Sequence, residues 1–371
     1  MNISLQGNEQ VTKLLNDWYH AMLQQQVLKA TNLKREIDEQ INVLKEEENT
    51  EQQNQNLLLY YSLLDFRYKV LTDGLSITKN SFDVVETHNA PSDDFLAYYY
   101  SFFKAIHATL TTNYNGASEY YEKAEKLLKH VPDELERAEF YYRFCIFLYH
   151  FYQPIESIQY ATKAKEIFVN SEGYEVRVGL CENMLGASCV YLKQFEQAEE
   201  KYNSAINIFR KFSEKELILS VRNNLGWLYA SQNLSTLAIR HLSEVTEKMP
   251  THFKAIFLQA REHNKLGEIN IAEEFIEKGL TICTGLDNEE YIHHFTILKA
   301  LNNNVPTEEL EKIILEGIAY FNKESLYNYT QEYAEKLATR FFKESDHIKA
   351  SEYFNNGLEA REKTFEKGAL K

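Results

Sequence analysis

Residues 194–209 read QFEQAEEKYNSAINIF, and much of the remaining chain varies this stretch. Ala198, Tyr202 and Ala205 follow one another at i, i+4 and i+7, so they share one face of an α-helix. Along that face a small side chain, a large side chain and a second small side chain follow one another. A neighbouring helix can approach it closely at both ends, while an aromatic ring fills the space between them. The stretch therefore predicts one helix of a tightly packed helical hairpin.

The same spacing recurs along the chain, with an upstream helical segment before each copy. The further triplets are Ala117, Tyr121, Ala124; Ser157, Ala161, Ala164; Ala238, Leu242, Val245; Ala272, Ile276, Gly279; Leu310, Ile314, Gly317; and Ala350, Phe354, Gly357. Their spacing is about 40 residues, with one shorter step, near the 34-residue period of tetratricopeptide units. One hairpin cannot bury its apolar face, whereas stacked copies can. We therefore predict an all-α fold whose main part is a tetratricopeptide-repeat superhelix with a concave groove.

The N-terminal part has a different pattern. Apolar residues at helical spacing predict two amphipathic helices within residues 9–48, and residues 57–71 are apolar over most of the helix circumference. This pattern is typical of a three-helix bundle. Residues 46–56, EEENTEQQNQN, contain no apolar side chain and predict a long, solvated turn. The predicted domains are a three-helix bundle, a linker and seven repeats, at residues 1–73, 74–93 and 94–371 respectively. The last helix should have a polar, charged end, formed by Arg361, Glu362, Lys363, Glu366 and Lys367.

Composition excludes several functional classes. The net charge of −15 disfavours nucleic-acid binding, which needs a basic face, and suits a basic partner better. The four cysteines lack CxxC spacing, which is typical of buried, reduced thiols in a cytosolic protein. The polar start and the lack of an 18-residue apolar run predict neither a signal peptide nor a membrane span. We expect a cytoplasmic protein that contacts neither membrane nor nucleic acid.

Motifs of common catalytic sites are missing. The sequence has no GxSxG, GxxxxGK[ST] or HExxH, the signatures of a nucleophile elbow, a P-loop and a zincin. His293 and His294 are adjacent, so on a helix they point about 100° apart and cannot easily bind one metal ion. We interpret them as ordinary surface or groove residues and predict no metal site. Composition and motifs alone therefore indicate a helical repeat protein that binds a ligand in its groove.

Five stretches, spread in order over almost the whole chain, are characteristic. They are LNDWY, NQNLLLYYSLLDFRYKV, FLAYYYSFFKA, DELERAEFYYRF and NNLG, at residues 15–19, 54–70, 95–105, 133–144 and 223–226. With them the chain resembles the Rap family of response-regulator phosphatases and inhibitors of Firmicutes, a branch of the peptide-sensing tetratricopeptide regulators. The resemblance implies a three-helix bundle joined to seven repeats and a response regulator as protein partner. It also implies control by a short, secreted and reimported Phr-type peptide bound in the groove.

The resemblance also implies a catalytic residue. Phosphatase members insert a glutamine beside the turn before the third helix into the receiver's active site, and the motif match places it at Gln55. An amide can align the attacking water without placing charge near the phosphate. Mg²⁺ and a lysine would come from the receiver, so no cofactor of this chain is expected. The turn is longer than the family's usual one, Gln52 and Gln53 are alternatives, and Asn56 stands where an acidic residue is usual. The simpler interpretation makes Gln55 a polar residue at a helix start.

For the peptide site, the asparagine of NNLG aligns as Asn224. A side-chain amide can pair with the N–H and C=O groups of an extended peptide whatever its sequence. A second asparagine, often found one repeat earlier in the family, appears here as Ser188, which leaves the identity of the peptide open. The alternative interpretation of Asn224 is a solvated asparagine on a helix.

Three hypotheses follow. The first is a peptide-inhibited phosphatase of a sporulation-phosphorelay receiver. The second is a non-enzymatic inhibitor that sequesters the DNA-binding domain of a competence-type response regulator, also under peptide control. A third, a transcription factor, is disfavoured because the N-terminal region is acidic and lacks a basic recognition helix. In the first two, residues 73–93 are hinge candidates, through which a groove ligand would reposition the bundle.

Overall fold

The computed structural model describes part of the 371-residue chain. The described backbone comprises residues 9–46, 52–89, 91 and 93–367, and the described side chains belong to residues 9–42, 55–89, 91 and 93–366. Every regular element of these residues is helical, which confirms the all-α prediction. The α-helices are α1 (Glu9–Leu23), α2 (Val27–Glu46), α3 (Gln52–Asp73), α4 (Asp83–Glu86), α5 (Asp94–Leu110), α6 (Tyr114–Leu128), α7 (Glu134–His150), α8 (Pro154–Val169), α9 (Glu175–Tyr191), α10 (Phe195–Lys211), α11 (Lys215–Ser231), α12 (Ser235–Lys248), α13 (Phe253–Lys265), α14 (Ile269–Gly285), α15 (Glu289–Asn302), α16 (Thr307–Lys323), α17 (Tyr327–Lys343) and α18 (His347–Lys367).

Helices α1 to α3 form the predicted three-helix bundle around Trp18, which is fully buried. Its indole packs against Tyr61 and Tyr68 of α3, with ring centroids 6.2 and 5.6 Å away. The predicted long turn is corrected at its end, because α3 already begins at Gln52. Polar residues can occupy a first helical turn whose side chains need no burial, while the apolar run that follows anchors the helix. Residues 47–51 of that turn lie outside the described residues.

The segment between the bundle and the repeats is folded against its neighbours. It contains two 3₁₀ turns, Gly74–Ser76 and Lys79–Phe82, followed by the short helix α4. Phe82 is fully buried, with its ring 5.0 Å from that of Phe66 in α3. The hinge role of residues 73–93 stays a prediction.

Helices α5 to α18 pair as seven successive hairpins within residues 93–367, and all seven turns use one backbone device. Two or three residues before the second helix, one residue has positive φ: Thr112, Tyr152, Lys193, Asn233, Gly267, Asn304 and Ser345. The next residue donates to the carbonyl five positions back, as in the 2.9 Å bond from Gln194 N to Cys189 O. This is a Schellman motif, which ends a helix and reverses the chain. The common turn confirms that one local fold recurs.

The predicted triplets bury their faces as expected. Ala198, Tyr202 and Ala205 are fully buried between the helices of their hairpin. A Cβ atom added to Gly186 of α9 would lie 2.6 Å from the Tyr202 ring, so only glycine leaves room for that ring. In the next hairpin Gly226 faces Leu242 in the same way, at 2.5 Å. The small position on the first helix thus determines how closely the large residue of the second can approach.

The last triplet was wrong at its central residue. Phe354 of α18 is 45% exposed, whereas the adjacent Tyr353 is 5% exposed. Tyr353 stacks on Phe341 with centroids 5.7 Å apart and donates a 2.5 Å hydrogen bond to Glu311. These two partners on α17 and α16 set the rotation of the helix. The charged end predicted for the last helix is exposed at Arg361, Glu362, Lys363 and Glu366, and the apolar side chains of Ile348 and Phe365 are exposed as well, at 85% and 72%.

The chain divides into two compact units. Unit 1 comprises Met1–Phe144 and Tyr160–Cys181, and unit 2 comprises Cys145–Gln159 and Glu182–Lys371. None of the helices in the described residues is long and apolar enough to cross a bilayer. All four cysteines are buried and free, as their spacing predicted.

Candidate functional site

Gln55 lies in the first turn of α3, where its side chain is half-buried. Its Oε1 accepts a 2.9 Å hydrogen bond from Nδ2 of Asn89, which follows α4. Its Nε2 donates to none of the residues whose side chains the structure describes. The amide of Gln55 therefore has an engaged carbonyl and an N–H group without an acceptor in the described part of the chain.

The segment that carries Asn89 is tied to the bundle. The preceding residue, His88, lies 2.9 Å from Ser62 Oγ of α3 through its Nε2. Glu86 of α4 accepts a 2.6 Å hydrogen bond from Lys104 of α5. Asn89 is thus held beside the start of α3. The side chains of the alternatives Gln52 and Gln53 lie outside the described residues.

Two buried carboxylates of α7 organise unit 1. Glu136 accepts hydrogen bonds from Tyr19 of α1 at 2.8 Å and from Tyr98 of α5 at 2.9 Å. Burial raises the pKa of Glu136 to about 7, although both hydrogen bonds favour its ionised form. One turn on, Glu139 pairs with Arg67 of α3 at 2.9 Å and also contacts Arg177 of α9. This explains part of the DELERAEFYYRF stretch as a polar junction within the core.

In unit 2, three asparagine amides form a chain across two neighbouring first helices. Asn223 Nδ2 donates to Asn224 Oδ1 at 3.2 Å, and Asn224 Nδ2 donates to Asn183 Oδ1 of α9 at 2.9 Å. Asn223 Oδ1 is buried and has no hydrogen-bond partner in the described residues. Asn183 Nδ2 likewise donates to no described residue. The three linked amides thus leave one acceptor, Asn223 Oδ1, and one donor, Asn183 Nδ2, without a partner among the described residues. An acceptor and a donor together are the complement of a peptide backbone.

Ser188 stands where the resemblance would place a second asparagine, and it is a packing residue. Ser188 is fully buried and donates a 2.9 Å hydrogen bond to Ser157 of α8, so it lies in the packing between hairpins. The amide that meets Asn224 from the preceding repeat is instead Asn183. Neither Asn183 nor Asn223 was predicted as a site residue from the sequence. The repeat period was the available signal, because Asn183 and Asn223 both stand three residues before the glycines Gly186 and Gly226.

Aromatic side chains surround this part of unit 2. Tyr191 of α9 lies 4.6 Å from Trp227 of α11 and 4.9 Å from Tyr149 of α7, measured between ring centroids. Tyr152, in the turn after α7, contacts Tyr191 at 4.8 Å and Tyr329 of α17 at 5.5 Å. Tyr329 of α17 therefore contacts the turn after α7 within the same unit.

A cavity of about 840 Å³ opens among the first helices α11, α13, α15 and α17. Trp227 and Phe257 contribute apolar walls, and Arg261, Glu332 and Lys336 contribute charges. Trp227 is one turn beyond Asn223 on the same face of α11, so the amide chain and the cavity adjoin. A pocket of this size with apolar walls and few polar groups suits a small ligand or a short peptide.

The charges in the cavity are partly paired. Lys336 contacts Glu332 at 2.6 Å, one turn away on α17. Burial alone would raise the pKa of Glu332, but the attraction of Lys336 and Arg261 lowers it to about 2. Glu332 therefore stays ionised at all physiological pH values.

No cluster of metal-ligating side chains occurs among the described residues. His294 is buried, and its Nδ1 lies 2.7 Å from the Tyr333 hydroxyl, while its ring packs on Phe321 at 4.9 Å. His293 packs against Tyr320, with centroids 5.1 Å apart. His294 is therefore a buried packing residue of α15, which corrects the expectation of a surface or groove position, whereas His293 is half-buried.

Two stretches of the chain match the models of known protein families. Residues 6–73 match the family model for the N-terminal part of response regulator aspartate phosphatase H, and residues 180–250 match a tetratricopeptide-repeat model. The chain is similar to response regulator aspartate phosphatase I of Bacillus subtilis (strain 168), with 26% identity over 365 residues, covering 95% of this chain and 91% of the relative. It is 27% identical over 373 residues to regulatory protein RapC of that strain, covering 95% and 94%.

Solved structures of similar fold cover almost the whole chain. The apo form of RapI is 27% identical to this chain, with a TM-score of 0.54 and coverage of 97% of this chain and 99% of RapI. A Rap protein complexed with competence and sporulation factor has a TM-score of 0.79 at 23% identity and covers 97% of this chain and 99% of its own. This second likeness concerns the fold alone.

Proposed function

Because this chain belongs to the Rap family of regulatory proteins, we propose that it hydrolyses the aspartyl phosphate of a sporulation-phosphorelay receiver in the cytoplasm. A short, secreted and reimported Phr-type peptide bound in unit 2 would inhibit it. The observation that carries the enzymatic part is the amide of Gln55, presented at the start of α3 with an open N–H group. This position falls inside the stretch matched by the phosphatase N-terminal model.

The chemistry assigned to Gln55 is alignment of water. Water attacks phosphorus, the bond from phosphorus to the aspartyl oxygen breaks, and inorganic phosphate leaves with the receiver's carboxylate restored. Gln55 Oε1 would accept a hydrogen bond from the attacking water, and Nε2 would donate to a phosphoryl oxygen. For this, Oε1 must exchange its hydrogen bond from Asn89 for one from water when the receiver docks. The Mg²⁺ ion belongs to the receiver, so this chain supplies positioning only.

The test measures loss of label from a purified, phosphorylated phosphorelay receiver of a Bacillus-type organism. Wild type is expected to accelerate this loss, whereas Gln55→Ala and Gln55→Asn should slow it at least about tenfold while receiver binding is retained. Gln40→Ala is the matched control, since Gln40 is an exposed glutamine on α2 of the same bundle. Full activity of Gln55→Ala would remove the catalytic assignment.

A second function is supported by the same hydrogen bond. Since Asn89 already occupies Gln55 Oε1, the amide is engaged within unit 1. This favours a structural role for Gln55. The alternative function is then a non-enzymatic one, in which the bundle sequesters the DNA-binding domain of a competence-type response regulator. A gel shift distinguishes the two. The sequestering inhibitor releases the regulator from its promoter whether or not the regulator is phosphorylated, and does not speed dephosphorylation.

Peptide control is assigned to the groove of unit 2. The open acceptor on Asn223 and the open donor on Asn183 match the N–H and C=O groups of an extended peptide, and Asn224 holds the two amides in register. The cavity beyond Trp227 gives room for side chains of the same ligand. Asn224→Ala should therefore abolish the inhibition by peptide and leave the regulator-directed activity intact.

A further inference from the structure

The cavity of unit 2 contains an arginine whose terminal nitrogens are open. Arg261 Nε lies 3.3 Å from Glu262 Oε1, and its Nη1 and Nη2 donate to none of the described residues. Only 24% of the side chain is exposed, and the guanidinium lies over the Phe257 ring at 5.9 Å. The guanidinium group of Arg261 is thus held at the cavity wall, and its forked Nη1 and Nη2 groups are available as donors.

The nearby carboxylates are already engaged. Glu262 is fully buried and accepts from Ser235 at 2.7 Å and from Lys265 at 2.9 Å, so it does not depend on Arg261. On the opposite wall Glu332 contacts Lys336 at 2.6 Å, and Glu335 accepts from Gln331 at 2.8 Å. Among the described residues, the charged hydrogen-bonding capacity left open in this cavity is therefore mainly cationic.

Two further polar side chains, Lys193 and Asn328, line the same cavity as Arg261. Lys193, in the turn after α9, lines the cavity and forms no ion pair with the described residues. Asn328 of α17 also lines it, and its Oδ1 is buried without a hydrogen-bond partner in the part of the chain described. A forked cation, a second cation at the rim and a buried acceptor lie on three elements around one space.

We propose that this cavity binds a carboxylate of the groove peptide, with Arg261 as the forked ligand, Lys193 at the rim, and Asn328 Oδ1 accepting a backbone N–H. The inference rests on the proposed peptide function of unit 2 and specifies the chemistry of its ligand. Arginine binds carboxylates through two parallel hydrogen bonds, and the enclosed, apolar-walled site strengthens them relative to water. The overall charge of −15 had suggested a basic ligand, whereas this end of the groove selects an acidic group.

The carboxylate has two chemical sources, the C-terminus of the peptide or an aspartate or glutamate side chain. Three synthetic hexapeptide pools distinguish them. The first contains no Asp or Glu and has free C-termini; the second has the same composition with C-terminal amides; the third is amidated but includes Asp and Glu. The intact chain is immobilised, and the retained peptides are quantified by mass spectrometry.

Wild type should retain at least one carboxylate-bearing pool about tenfold more than the neutral amidated pool. Preference for the first pool assigns the C-terminus, and preference for the third assigns an acidic side chain. Arg261→Gln should remove the preference while some peptide is still retained, and Arg261→Lys, which keeps the charge without the fork, should keep part of it. Arg240→Gln is the matched control, because Arg240 is exposed on the second helix α12.

Two outcomes overturn the proposal, and they differ in what else they overturn. Equal retention of all three pools by wild type, sensitive to Asn224→Ala, removes the carboxylate site and leaves the peptide groove in place. No retention of any pool removes the proposed peptide function and this inference together. A preference unchanged in a folded Arg261→Gln variant, checked by circular dichroism, would show that another cation binds the carboxylate and would overturn the assignment.

Discussion

In unit 1, the carboxylates of Glu136 and Glu139 are enclosed by tyrosine hydroxyls and guanidinium groups, whereas in unit 2 the amides of Asn223 and Asn183 keep an acceptor and a donor without a partner among the described residues. Both sets occupy the first helices of hairpins and both join neighbouring helices. We call the first set closed because both carboxylates contact groups from other helices, although several guanidinium nitrogens of Arg67 and Arg177 are buried without a hydrogen-bond partner among the described residues. The second is neutral and leaves capacity for another molecule.

The difference separates two uses of a buried polar group. A buried group whose partners are all internal specifies how helices pack, and its loss is felt as lost stability. A polar group that keeps an open donor or acceptor costs stability until a ligand supplies the missing bond, so its loss is felt in binding. The predictions below test this division, beginning with the closed set.

The largest effect is expected for Glu139→Ala. The change leaves Arg67, Arg143 and Arg177 without their common carboxylate, and two of these arginines are fully buried. Breaking a buried ion pair from one side costs about 3–5 kcal/mol of unfolding free energy, measurable by urea denaturation. Glu134→Ala, at an exposed carboxylate of the same helix, should change stability by less than about 0.5 kcal/mol. Equal effects of the two variants would contradict the closed-junction interpretation.

The second prediction concerns pH. Because the pKa of Glu136 is raised from 4.5 to about 7 in the folded state, the native protein binds more protons than the unfolded chain between these values. Stability should therefore fall as pH rises through this window, by roughly 3 kcal/mol from this group. Glu136→Gln cannot ionise, so thermal melts from about pH 5 to 8 should show a flatter profile than wild type. An identical slope in both proteins would assign the titration elsewhere.

A smaller effect is expected at Gly226, beneath the amide chain. An added Cβ would lie 2.5 Å from Leu242 Cγ, so Gly226→Ala should overpack this hairpin and cost about 1–3 kcal/mol. Gly285→Ala is the control, because that glycine ends α14 with no atom within 4 Å of the added Cβ. It should gain up to about 1 kcal/mol from helix propensity. Stabilisation by Gly226→Ala would mean that α11 is loosely seated and that its asparagines are not held in register by packing.

The repeats could be predicted from the sequence because the spacing of small and apolar residues is enough to identify the buried face of a helix. Ala198, Tyr202 and Ala205 illustrate this, since every one of them is fully buried. It failed at Phe354 because the sequence offers two adjacent aromatic residues, and Glu311 on another helix decides which one turns inward. The positive-φ turns were hard to foresee, because among the seven turn residues only Gly267, Asn233 and Asn304 are of types that favour this conformation.

The candidate sites were less predictable, since they depend on which distant residues meet. Resemblance indicated Gln55 and Asn224, but not Asn89, whose amide holds Gln55 from 34 positions away in sequence. Asn183 and Asn224 stand 41 positions apart and meet only through the stacking of α9 on α11. The domain boundaries at residues 73 and 93, and the roles of both site residues, stay predictions that binding and activity assays can test.

The smallest effect on stability, and the sharpest test of the division, is expected for Asn224→Ala. Asn224 is half-buried, and its loss removes two hydrogen bonds between neutral amides, so the unfolding free energy should fall by only about 1 kcal/mol. Retention of the preferred peptide pool should nevertheless drop at least about tenfold, because the open groups on Asn223 and Asn183 lose their alignment. Asn203→Ala, at an exposed asparagine of α10, should change neither quantity. A large loss of stability with peptide retention unchanged would instead place the asparagine chain with the closed polar groups of unit 1, since a group that only joins helices has no reason to alter binding.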